Sequence, residues 1–233
     1  MKVIFNADDY GLTRGVTDGI IKAHVDGVVT ATTMMMNGRA VDYAVEQAKQ
    51  NPALQVGIHL VLSSGRPLSD NVPDLVDTDG FFRFKNTFSS MEPPNIQQVE
   101  IEWRTQIEAF IKTGLPLHHI DSHHHIHGWE PLKEVVIRLA EDYNVPVRYV
   151  DSLKERPDLL LTEALFLEFY GESISTDIFT ELKKLPVNTV EVMTHPAYVD
   201  TDLEQLSSYR KLREKELEIL CSIEYPDWVE NPA

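Results

Sequence analysis

Short apolar runs alternate with longer stretches of helical periodicity along the whole chain, and this alternation constrains the fold more than any motif within it. Residues 2–6, 28–36, 54–62, 117–123, 145–150 and 189–195 have the length and apolar content of strands. Between them the spacing predicts helices near residues 16–25, 39–50, 96–113, 131–142 and 177–185, with a last helix over about 203–222. A βαβα order implies a mainly parallel sheet with right-handed crossovers, either closed as a barrel or opened as a doubly wound sheet. A dinucleotide fold would place G-x-G-x-x-G after its first strand, where this chain has Asn6-Ala7-Asp8-Asp9-Tyr10-Gly11. The expected class is therefore α/β, a distorted (β/α) TIM-like barrel. No repeat or linker interrupts the pattern; residues 63–94 and 152–176 read as less regular insertions, and residues 1–233 read as a single domain.

Charge narrows the partners. With 21 basic against 37 acidic residues the formal net charge is −16, and no Lys/Arg cluster offers a footprint for nucleic acid. The densest basic stretch, Arg210 to Lys215, reads as a solvated helix face. Gly27 to Gly38, like every other uncharged run, is too short to span a bilayer, so no membrane association is expected. The first residues turn polar too early for a secretory h-region, which makes the cytoplasm the expected compartment. The lone Cys221 cannot close an internal disulfide and, beside Leu217 and Leu220, is expected to be a small buried residue instead of a nucleophile.

Groups capable of chemistry collect at the downstream ends of the expected strands: Asp8 and Asp9, Asn37, His59, Asp121 and His123, Arg148, and His195. In a parallel barrel these ends meet on one face, where active sites are built. Adjacent Asp8 and Asp9 suit a division of labour in which one binds a metal and the other accepts a proton, although a turn or helix N-cap would use the same residues. His59 shares a strand face with Gly57, which would leave open space beside its imidazole. Six of the nine histidines fall between His118 and His127. In a strand Asp121 and His123 share a face; a helix starting near His123 would instead pair His123 with His127. Pro196 forces extended backbone on His195, which suits either a site or a plain turn. Arg148 inside an apolar strand must either pair with a buried acid such as Asp8 or Asp121, or reach solvent at an edge. Together these groups are the kit for metal-assisted hydrolysis: an Asp and two His around a divalent ion, a spare Asp, and a distant His.

The motifs Asn6-Ala7-Asp8-Asp9-Tyr10-Gly11, Thr32-Thr33 through Asn37-Gly38, Gly57-Ile58-His59-Leu60, His119 through His127, and Thr194-His195-Pro196 occur in an order that spans nearly the whole chain. In these the sequence resembles the YdjC-like carbohydrate deacetylases, which include the chitooligosaccharide deacetylases. The resemblance implies a distorted (β/α) barrel, one Mg²⁺ or Zn²⁺, and removal of an N-acetyl group from an N-acetylglucosamine unit of a small, acetylated amino sugar. It also implies Asp8 as base, Asp9, His59 and His123 as metal ligands, and His195 as acid. Tyr10 and Ala197 stand where that family favours Phe and Gly, and both are expected at the mouth of the site; Tyr10, Trp129 and Tyr198 are candidate platforms for sugar rings. Two rival functions stay open: a metal-dependent phosphoesterase or phospho-sugar hydrolase, which needs basic residues converging on the site, and a metal- or sugar-binding protein without turnover. Phosphorylated sugars fall within the expected substrate range, and a homodimer is the expected assembly if the chain self-associates.

Overall fold

A computed structural model describes residues 1–230. Its centre is a six-stranded, wholly parallel sheet in the order β4-β3-β2-β1-β6-β5. The strands are β1 (Lys2–Tyr10), β2 (Ala31–Met34), β3 (Gln55–Leu60), β4 (Ile120–Ser122), β5 (Ala164–Phe166) and β6 (Thr189–Thr194). Single bridges from Ile120 to Val147 and from Val147 to Leu160 carry the sheet on past β4, and Leu160 leads into β5 at the opposite edge. The result is the expected distorted barrel. The helices are α1 (Arg14–Val25), α2 (Val41–Gln50), α3 (Ile96–Ile111), α4 (Lys133–Tyr143), α5 (Ile178–Leu182), α6 (Thr201–Leu206) and α7 (Lys211–Ser222). Among the described residues no helix is long and apolar enough to cross a membrane.

Period-2 alternation sorts the strand residues. On β1, Val3, Phe5 and Ala7 join the apolar core beneath the helices, whereas Asn6 and Asp8 are buried among polar groups inside the barrel. That polar interior also takes Thr33, His59, Asp121, Arg148 and Glu191, all of them buried.

Three expected elements differ. Residues 145–150 form no strand: Pro146 has no N–H to give a ladder, though its carbonyl accepts from Ile120 N–H at 2.9 Å, and the N–H groups of Val147 and Arg148 donate to Leu159 O and Ile120 O at 2.7 and 2.9 Å. The last helix is two, because Ser207 adopts extended backbone (φ −129°, ψ 141°) between α6 and α7. The stretch 152–176, expected to be irregular, contributes the three-residue edge strand β5.

Candidate functional site

The C-terminal ends of the strands open into a cleft of about 410 Å³ lined by His123, His124, Tyr170, His195, Tyr209 and Arg213, among others. Each acid and imidazole reaches this place by a local device. In β1 the pairing register with β2 breaks between Ala7 and Tyr10, and Asp9 takes a left-handed conformation (φ 70°). This kink lets neighbouring Asp8 and Asp9 both turn inward, which a regular strand forbids. Neither caps a helix; Thr13 does, accepting from Val16 N–H. After β4, His124 and His125 are also left-handed (φ 55° and 56°), a tight reversal that leaves His123 at the cleft and sends His127 back beneath it. His127 Nδ1 sits 2.5 Å from Ser122 Oγ, so the His123–His127 pairing of a regular helix does not occur.

Asp9, His59 and His123 present ligand atoms that all lie within 4.8 Å of one another. Asp9 Oδ1 is 3.2 Å from His123 Nδ1 and 3.5 Å from His59 Nε2. On its other side His59 Nδ1–H donates to Asp121 Oδ1 at 2.7 Å, and Asp121 in turn accepts from the Thr33 hydroxyl at 2.9 Å. A carboxylate behind the imidazole fixes the tautomer that leaves Nε2 free to bind a metal. A second acidic grouping, Asp8 with His59 and Asp121, is spanned by Arg148, whose guanidinium already occupies it. One oxygen and two nitrogens from the first group fit a divalent ion with coordination positions left open.

Electrostatics support that fit. Four buried carboxyls, Asp8, Asp9, Asp121 and Glu191, face only two guanidiniums, Arg148 and Arg213. Burial opposes charge on His59, yet Asp121, Asp9 and Asp8 together push its pKa up to about 10. The excess of buried carboxylate therefore favours positive charge in the pocket, as a proton on His59 or as a bound cation.

Asp8 is kept off that centre. Its oxygens accept from Arg148 Nη2 and Nη1 at 2.6 and 2.7 Å and from Asn6 Nδ2 at 2.9 Å. Burial alone would raise the Asp8 pKa; the bidentate Arg148 outweighs it and holds the carboxyl well below the usual range. The same arginine pairs with Asp121 at 2.9 Å and Glu191 at 2.7 Å, and even so burial pushes Glu191 up to about 7. Arg148 thus takes the paired alternative. His195 places Nε2 3.9 Å from Asp8 Oδ2, and burial lowers its pKa to about 4, so the ring rests neutral near pH 7.

All five expected site residues converge here, but several neighbours differ from expectation. Gly57 makes room for His119, not His59: a Cβ at Gly57 would come within 2.6 Å of His119 Nδ1. Tyr10 is buried with its hydroxyl on Ala44 O at 2.8 Å, and Ala197 is buried as well, so neither lines the mouth. Trp129 packs on Phe84 and Phe88 away from the cleft, and exposed Tyr198 does not line it. The aromatic wall is the stacked pair Tyr170 and Tyr209, with centroids 4.1 Å apart, both edge-on to His195. Cys221 is half-buried.

Helix α7 supplies what the sequence reading missed. Arg213, assigned to a solvated face, is 3% exposed and donates to Asp9 Oδ2 at 2.6 Å. One turn on, buried Glu216 accepts from the backbone N–H of His195 and from Tyr209 OH. Their signal was the spacing Arg213, Glu216, Leu217, Leu220, which puts two charges on the apolar stripe.

Residues 2–231 match the family model described as YdjC-like protein. The chain is 57% identical to a carbohydrate deacetylase of Oceanobacillus iheyensis over 99% of its own length and all of that protein's. It is 46% identical to a carbohydrate deacetylase of Vibrio campbellii, over 95% of this chain and 88% of that one. A crystal structure from Enterococcus faecalis, described as a candidate cellobiose-phosphate cleavage protein, superposes with a TM-score of 0.88 at 36% identity, covering 94% of this chain and 90% of that one. The lactam utilization protein of Thermus thermophilus shares the fold alone, with a TM-score of 0.52 at 18% identity over 83% of this chain and 90% of that one. Motif order, barrel and full-length match agree, and the chain belongs to the YdjC-like family.

Proposed function

We propose that this chain is a metal-dependent carbohydrate deacetylase that hydrolyses the N-acetyl group of small amino sugars, chitooligosaccharides among them, and releases acetate. The name shared by its relatives supports the reaction class. One observation carries the mechanism: Asp9, His59 and His123 can share an ion while Asp8, next in the chain, stays off it, ionised and facing His195.

A divalent ion bound by those three residues would polarise the acetyl carbonyl and make water more acidic. Asp8, held by Arg148 and Asn6, would take a proton from the attacking water. Because Arg148 keeps Asp8 a weak base, the proton moves on to neutral His195, 3.9 Å away. His195 then gives it to the sugar nitrogen as the C–N bond breaks. The water oxygen ends in acetate and the proton on the amine. A resting imidazolium at His195 is not needed.

The resemblance points to Mg²⁺ or Zn²⁺; two imidazoles in the donor set favour Zn²⁺, since Mg²⁺ prefers all-oxygen shells. The phosphoesterase reading has little support. Arg148 is enclosed by three carboxyls and Arg213 pairs with Asp9 through Nη2, which leaves Lys85 as the one Lys or Arg lining the cleft without an acid partner among the described residues, too few cations to converge on a phosphate.

Acetate release from N-acetylglucosamine, chitobiose, chitotriose and their phosphates, after stripping metal and restoring Mg²⁺ or Zn²⁺, tests the proposal. Release that depends on restored ion is expected from at least one of these sugars. No acetate from any of them with either ion would refute it.

A further inference from the structure

Arg213 enters the cleft from α7 with two of its three nitrogens committed. Nε donates to Tyr209 O at 2.9 Å, and Nη2 donates to Asp9 Oδ2 at 2.6 Å. The third, Nη1, is buried and has no partner among the described residues. A charged donor without an acceptor is disfavoured in a dry site, so a group that supplies one would bind well there. The guanidinium fork is planar and rigid, and Nη1 is therefore held beside the carboxyl that faces His59 and His123.

Resting on the deacetylase reading above, we propose that Nη1 of Arg213 donates to the acyl oxygen of the substrate as that oxygen gains negative charge, which makes Arg213 a catalytic residue. When the water oxygen bonds to the carbonyl carbon, the π pair moves onto the acyl oxygen. Arg213 stabilises that charge without giving up its proton. The pair returns as the C–N bond breaks and the amine takes its proton from His195. An acyl carbonyl attacked by water activated at Asp8 would lie in the cleft that Arg213 lines, beside the Asp9 carboxyl that Arg213 holds. A fixed positive donor contributes most where charge develops.

The test compares wild type with Arg213→Lys and Arg213→Ala by kcat, KM, bound-metal stoichiometry and thermal unfolding. If Arg213 is an oxyanion donor, kcat falls by about 10²–10³-fold in both while KM changes by less than about threefold and the ion stays bound. Added guanidinium should restore part of the activity of Arg213→Ala. The lysine variant keeps the charge and serves as the reading if the alanine variant does not fold. Unchanged kcat in both variants would overturn the proposal. A raised KM at unchanged kcat would also overturn it, by making Arg213 a ground-state sugar contact. Loss of the ion in step with loss of activity would overturn it too, by reducing Arg213 to a support for Asp9. A wild type that releases no acetate would instead remove the deacetylase reading itself, and this inference with it.

Discussion

Asp8→Asn is expected to lower kcat for acetate release by about 10²–10⁴-fold, the usual contribution of a positioned general base, while one divalent ion remains bound. The fold should survive, because an amide oxygen in the place of Oδ1 still accepts from Arg148 Nη2 and Asn6, and Arg148 keeps Asp121 and Glu191 as partners. What disappears is the proton acceptor between water and His195. An interaction made only in the transition state lowers kcat and kcat/KM together, so KM should barely move. Acetate release within a few-fold of wild type, with the ion bound, would take the role of base away from Asp8.

Arg148→Met should produce the largest loss of stability of any single change at the site, about 3–5 kcal/mol near pH 8, because it strands charges in a buried place. The guanidinium is fully buried and touches Asp8, Asp121 and Glu191. In the wild type the Asp8 pKa is depressed, so its stabilising contribution is present above its unfolded value of 3.8 and is lost as pH falls toward the folded value. Without Arg148 the desolvation that already holds Glu191 at about 7 acts on Asp8 and Glu191 with no guanidinium to oppose it and raises their pKa values. A raised acid pKa reverses the sign: stability is present below the unfolded value and is lost as pH rises through the folded one. The gap between variant and wild type should therefore widen from pH 5 to pH 8 in urea unfolding. A gap that is constant across this range, or absent, would contradict the pairing.

The strand ends were legible because a parallel barrel delivers every C-terminal end to one face, so polar residues closing apolar runs had to meet there. That rule gathers Asp8, Asp9, His59, His123 and His195 together with Asn37, Asp121 and Arg148, and the family resemblance singles out the five. The rest depended on information that does not run along a strand. Arg213 and Glu216 lie about two hundred residues from Asp8 on a helix whose charges looked like those of a wetted surface. Only their register with Leu217 and Leu220 marked them as buried. Which acids Arg148 pairs with depends on barrel curvature, which brings β1, β4 and β6 around one guanidinium. The choice of His123 over His127 rests on two left-handed residues in a row, His124 and His125, a conformation uncommon outside glycine that no periodicity announces. The edge strand β5 is three residues long, too short for alternation to mark it.

Calorimetric titration of metal-free protein with Zn²⁺ and with Mg²⁺, on wild type and on Asp9→Ala, His59→Ala, His123→Ala and Asp8→Asn, tests most directly whether a side chain of β1, one of β3 and one just after β4 hold one cation beside a free carboxylate. One equivalent of the preferred ion should bind to wild type and to Asp8→Asn, and each of the three alanine variants should lose that binding. Wild-type affinity in any one of the alanine variants, or loss of the ion in Asp8→Asn, would contradict it.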